Sequence, residues 1–136
     1  MILLSALEEG TLQKYLFIAI GGALGSIARY GVTSWVASRM GIRFPYGTLI
    51  VNITACVIIG FTMTYLGRHG DVSPALRFLV PVGFIGAYST FSTYQWETLV
   101  DLRAGSFGIA ALYSIGSFAA GLLAVWSGSV LGDLFN

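Results

Sequence analysis

Four apolar stretches, each long enough to cross a bilayer as a helix, account for most of this 136-residue chain. A helix needs about 20 residues to span the hydrocarbon core. The first stretch runs from Tyr15 to about Ala37 and is interrupted by one charge, Arg29. The second runs from Tyr46 to Leu66 and carries none. The third runs from Phe78 to Asp101 and is uncharged as far as Trp96. The fourth runs from Ala104 to about Gly132, also uncharged and long enough to tilt. Backbone groups in lipid must bond within their own segment, so these stretches predict helices. Charged residues make up only 10% of the chain, against about 25% in soluble domains. The expectation is an all-α, multi-pass membrane protein of the cell (inner or plasma) membrane, with residues 1–136 forming one four-helix transmembrane domain.

The connections leave no room for a soluble domain. Ser38 to Pro45 joins the first pair of spans, and Asp101 to Gly105 the last. Gly67 to Arg77 joins the middle pair, with Gly67, Gly70, Asp71 and Pro74 as turn formers. The opening segment, Met1 to Gln13, carries Glu8 and Glu9 where a secretory signal would be basic. It reads as a short helix or arm at the membrane surface.

Orientation in a membrane follows Lys and Arg. One side would hold Lys14, Arg68 and Arg77, and the other Arg39, Arg43 and Arg103. That tie predicts insertion both ways round and hence an antiparallel, dual-topology dimer, unless Arg29 breaks it. Close helix contact in lipid relies on small residues. Gly21 and Gly25, and the stripe Gly116, Ala120, Ala124 and Gly128, read as packing seams.

A net charge of +1 offers nothing to a nucleic acid. Cys56 is the one cysteine and reads as a small buried residue. His69, the one histidine, lies in a loop and reads as a solvated turn residue. No Walker loop, metal-ligand cluster or nucleophile elbow is present, so the chain does not read as an enzyme.

Polar residues inside a span are costly and mark candidate sites. Asn52 lies mid-span; it serves either as interhelical glue or as a donor along a permeation path. The sequon at Asn52 is a chance match inside a span. Gly83 to Thr98 packs Ser89, Thr90, Ser92 and Thr93 around Phe91 and Tyr94, with Pro81 upstream. This suits a broken third helix whose free backbone groups face a cavity or an ion. On helical spacing, Phe91 and Tyr94 share one face and Ser89 and Thr93 another. Tyr113 and Ser117, four apart, present two hydroxyls on one face of the last helix. Arg29 either sits in a water-filled vestibule or snorkels to the head groups. Glu97 ends an uncharged run and reads as a solvated helix end near Asp101 and Arg103. Uncharged donors and ring edges without matching carboxylates suit a small, hard anion.

Three motifs resemble the Fluc/CrcB family of fluoride channels over nearly the whole chain: GGALGSIARY at Gly21 to Tyr30, PYGTLIVN at Pro45 to Asn52, and GFIGAYSTFSTY at Gly83 to Tyr94. The resemblance implies an antiparallel dimer with two pores and passive, selective fluoride export. It also implies a structural sodium ion at the dimer centre, held by the backbone carbonyls of Gly86 and Ser89. By the same resemblance the pore residues are Asn52, Phe91, Ser92, Thr93, Tyr94, Tyr113 and Ser117, with Arg29 in the vestibule. Tyr94 stands where the family usually has phenylalanine, and Ser89 where threonine is usual. The partners expected are fluoride, sodium, the bilayer and a second copy of the chain. The alternative is a small multidrug-resistance-type, proton-coupled transporter, which wants a carboxylate deep in the first span; that span has none. A non-transporting scaffold ranks below both.

Overall fold

A computed structural model describes residues 2–70 and 72–135, with side chains described from Gly10 onward. The described chain is helical apart from short turns. Helix α1 spans Ile2–Met40, continuous through the segment expected to lie as an arm; Met1 lies outside the described residues. Helix α2 spans Tyr46–Arg68. The third span opens with the turn α3 (Pro74–Arg77), passes into a π-helical stretch (Phe78–Ile85) and closes with the turn α4 (Gly86–Tyr88). Helix α5 (Phe91–Arg103) continues it after an interruption, and α6 (Phe107–Leu134) ends the chain. Four of these helical runs are long and apolar enough to cross a membrane: Gly10–Met40, Tyr46–Arg68, Pro74–Arg103 and Phe107–Leu134.

Turn chemistry sets where the helices stop. Gly41 has φ +76° and closes α1, its amide donating to the Ala37 carbonyl at 3.0 Å. Gly105 has φ +73° and ends α5. Its amide reaches Leu102 O, and the Ser106 amide reaches Asp101 O, the two bonds of a Schellman motif. Ala104 therefore lies in the turn, and α6 starts at Phe107. Asp71, the acidic turn former between α2 and α3, lies outside the described residues.

Glycines decide how closely the helices meet. Between α2 and α6, a Cβ on Gly60 would run into the Val125 carbonyl, and one on Gly128 into the Val57 carbonyl. Two helices that approach backbone to backbone at two such points leave no space for a methyl group. Between α1 and the π-helical stretch the same holds at Gly21 against Leu79 and Phe84, and at Gly25 against Phe84. The expected Gly21–Gly25 seam is thus a contact within the chain. Within the chain, the α6 stripe is a seam in its second half. Ala124 and Gly128 are buried, whereas nothing lies within 4 Å of a Cβ on Gly116.

Where the third span meets α2, Val51, Ala55, Ile85 and Tyr88 form a buried cluster flanked by Ala28, Val32 and Phe84. At one end of the bundle, Arg68 pairs with Asp133 at 2.6 Å and Arg77 donates to the Leu66 and His69 carbonyls. His69 is half-buried there, stacked on Tyr65 at 4.2 Å, with Nδ1 at 3.0 Å from the Tyr65 carbonyl. It is a packed helix end rather than a solvated turn residue. The same end holds Lys14, over the Phe78 ring.

Candidate functional site

The centre of the molecule is the interruption between α4 and α5. Ser89 (φ −74°, ψ 157°) and Thr90 (φ −149°, ψ 109°) are both extended. A helix cannot pass through two such residues, so the backbone groups around them need other partners. Asn52 supplies them from α2. Its Oδ1 accepts from the Thr90 amide at 2.8 Å, and its Nδ2 donates to the Thr90 carbonyl at 3.1 Å. One side-chain amide thus substitutes for a stretch of backbone. Thr90 then caps α5: its Oγ1 accepts from the Thr93 amide at 3.3 Å and donates to Thr93 Oγ1 at 2.9 Å.

The break redirects two amides. In an unbroken α-helix, Thr90 and Thr93 would donate to the carbonyls of Gly86 and Ser89. Here those amides go to Asn52 and to the Thr90 hydroxyl, so both carbonyls lose their helical partners. Gly86 is exposed on the surface of the single chain, and Ser89 is half-buried. The same break removes the helical spacing that would have set Ser89 and Thr93 on one face.

Beside the break lies a cavity of about 240 Å³. Asn52 and Cys56, one turn apart on α2, form one wall. Ser89, Thr90, Phe91 and Tyr94 form the second, and Ser117 and Phe118 of α6 the third. None of these side chains is charged. Ser117 Oγ is buried and makes no hydrogen bond, the one such side-chain atom among the described residues. A buried hydroxyl without a partner costs about 1–3 kcal/mol, so it marks a place where a partner is missing. Asn52 retains a second N–H beyond the one given to Thr90. The Phe91 and Tyr94 rings stand 5.8 Å apart, and Tyr94 meets Tyr113 edge to face at 5.1 Å. The Tyr94 hydroxyl donates to the Ser114 carbonyl at 3.3 Å, turned toward α6.

Tyr113 leads out of this cavity. It is 1% exposed, and its hydroxyl donates to Glu97 Oε2 at 2.7 Å. Thr48 donates to the other carboxylate oxygen, Oε1, at 2.8 Å. Glu97 is therefore half-buried with both oxygens engaged, not a solvated helix end. It lines a second hollow of about 350 Å³ at the α1–α2 turn, together with Arg43, Thr48, Trp96 and Asp101.

The family profile described as "CrcB-like protein, Camphor Resistance (CrcB)" matches residues 16–129. The chain belongs to the CrcB family. A relative from Acidobacterium capsulatum, named a fluoride-specific ion channel, is 53% identical over 121 residues, which cover 89% of this chain and 97% of that protein. Another so named, from Solibacter usitatus, is 45% identical over 119 residues, 88% of this chain and 98% of its own. A third, from Thermus thermophilus, is 42% identical over 120 residues, 88% and 94% respectively.

In this CrcB-family chain the cavity collects Asn52, Ser89, Phe91, Tyr94 and Ser117 from the candidates named in the sequence. Ser92, Thr93, Tyr113, Gly86 and Arg29 lie off its wall. Ser92 and Thr93 are exposed on the first turn of α5, with Ser92 Oγ 3.4 Å from Thr90 Oγ1. Arg29 is half-buried one turn beyond Gly25, the residue that lies on the backbone of Phe84 and Tyr88. Its guanidinium has no hydrogen bond or ion pair among the described residues. Sequence reasoning undervalued Thr90, the residue around which the break is organised, and missed Thr48 and Phe118. Thr48 could have been found, since it lies four residues before Asn52 and so on the same side of α2. Phe118 carries no such signal.

Proposed function

We propose that this chain is a fluoride channel, passing fluoride passively out through the cell membrane as an antiparallel pair of copies with two pores. The observation that carries this is the uncharged, donor-lined cavity with the unpartnered hydroxyl of Ser117 in its wall. A small anion sheds water only where N–H, O–H and ring edges replace it. Asn52 and Ser117 offer such protons, Phe91 and Tyr94 offer ring edges, and no carboxylate lines the cavity to repel the ion. Uncharged donors also hold the ion loosely enough for it to leave.

Arg29, unpaired within α1, raises the local concentration of anions in a vestibule. Fluoride then moves between the Phe91 and Tyr94 edges and the hydroxyls of Ser92, Thr93 and Ser117, while Tyr113, whose own proton goes to Glu97, flanks the path by its edge contact with Tyr94. Two features support dimerisation. Phe91 and Phe118 are 72% and 74% exposed beside a cavity that is open in the single chain. Apart from Arg29 inside the first span, the Lys and Arg residues stand three to three at the two ends, a tie that favours neither orientation. Residues 1–136 act as one transmembrane domain. The carbonyls of Gly86 and Ser89, stripped of their helical partners and with Gly86 on the surface, fit a structural sodium ion between copies. Those carbonyls would hold the ion, which would supply a fixed positive charge at the break.

Liposomes carrying the purified protein test the reading. Fluoride efflux with chloride retained, lost in Phe91→Ile, is the expected result. Well-folded protein that leaves fluoride inside would sink it.

A further inference from the structure

Asn52 is not the only α2 side chain that holds the helix break. Thr54, two residues on, meets the hydroxyl of Tyr88 at 2.9 Å. The direction of that bond follows from proton counting. Thr54 has one hydroxyl proton, and it is given to its own helix, with Ile50 O at 2.8 Å and Val51 O at 3.0 Å. Tyr88 is therefore the donor and Thr54 the acceptor.

Tyr88 is 6% exposed and does not line the cavity, so conduction gives its hydroxyl no task. A buried hydroxyl is costly where a phenyl ring would serve, unless its bond does something. Its ring stacks on Phe84 at 5.5 Å, and its backbone lies under Gly25 of α1. Tyr88 is also the last residue of α4, directly before the extended Ser89. Asn52 holds Thr90 on the far side of Ser89. Side chains two apart on a helix leave it in different directions. So α2 grips both flanks of Ser89, from two sides.

We propose that the Tyr88–Thr54 hydroxyl pair is a second clamp on the helix break, a positioning contact that fixes the Ser89 carbonyl jointly with Asn52. The clamp itself stands on these contacts alone. Its link to sodium rests on the reading of Gly86 and Ser89 given above.

The experiment compares wild type, Tyr88→Phe, Thr54→Val, the double variant and Thr54→Ser, all as purified protein in lipid nanodiscs. Tyr88→Phe keeps the ring and the core, so folding is preserved. Two quantities are read: hydrogen exchange of backbone amides in residues 86–93, and the sodium concentration giving half-maximal thermal stabilisation. Each single deletion should speed exchange by about tenfold, the size of one lost hydrogen bond. The sodium midpoint should rise by a similar factor of about ten. The double variant should be no worse than either single one, because both remove the same bond. Thr54→Ser keeps the acceptor and should match wild type. Wild-type exchange in Tyr88→Phe would overturn the clamp, as would additive effects in the double variant. Faster exchange with an unmoved sodium midpoint would overturn the role assigned at the Ser89 carbonyl. If wild type itself ignores sodium, the sodium reading fails, and the clamp is decided by exchange alone.

Discussion

Ser117→Ala should change stability and conduction in opposite directions. The Ser117 hydroxyl is buried and unpartnered, so deleting it breaks no hydrogen bond. Removing a buried polar group that lacks a partner relieves about 1–3 kcal/mol of desolvation cost. A methyl group in place of the hydroxymethyl leaves a space too small to offset that gain fully, so a net stabilisation of about 1 kcal/mol is expected. Conduction should fall. A hydrogen bond to a charged group contributes about 1.5–3 kcal/mol, and a partly dehydrated fluoride loses one donor in the variant. Even half of the lower figure slows passage several-fold, and the full figure by about tenfold or more. The assay pairs thermal unfolding of purified protein with fluoride-electrode recordings of efflux from liposomes. A variant that is clearly less stable than wild type would mean that the hydroxyl has a structural partner. Unchanged efflux would mean that the hydroxyl is not on the ion's path. Either result refutes the argument from the unpartnered oxygen.

Asn52→Ala should destabilise the fold by about 2–4 kcal/mol, because it strands both the amide and the carbonyl of Thr90; thermal unfolding in detergent reads this, and a loss under about 0.5 kcal/mol would show that the break does not depend on that side chain. Gly60→Ala places a methyl group into the Val125 carbonyl across the α2–α6 contact and should cost about 1–3 kcal/mol, read as a lower melting temperature and poorer yield of monodisperse protein. The control Gly22→Ala, on α1, meets open space and should leave both unchanged. Tyr113→Phe deletes the bond to Glu97 and should cost about 1.5–3 kcal/mol; double-variant analysis with Glu97→Gln should show that the two effects are not additive.

The sequence by itself determined the solvent and the class of fold. Runs of apolar residues with almost no charge need only local hydrogen bonds to be stable in lipid, and length alone says how many cross. Local composition also revealed the break in the third span, since four hydroxyls in five positions around Phe91, after Gly86, favour extended backbone over helix. Even Asn52 could be singled out, because an amide amid apolar residues is costly wherever it lies.

What only the tertiary structure decided is which groups meet across the chain. Asn52 had two readings in the sequence, and the fold shows it completing the hydrogen bonds of Thr90, 38 residues away. Glu97 reads locally as a helix end in water, yet Thr48 and Tyr113 converge on it from two other helices. Tyr113 and Ser117 are equivalent by spacing, but one is committed to Glu97 and the other is left unpartnered. Periodicity along a helix records which face a side chain occupies. It carries no record of the register between helices, and that register is set here by the backbone contacts at Gly21, Gly25, Gly60 and Gly128.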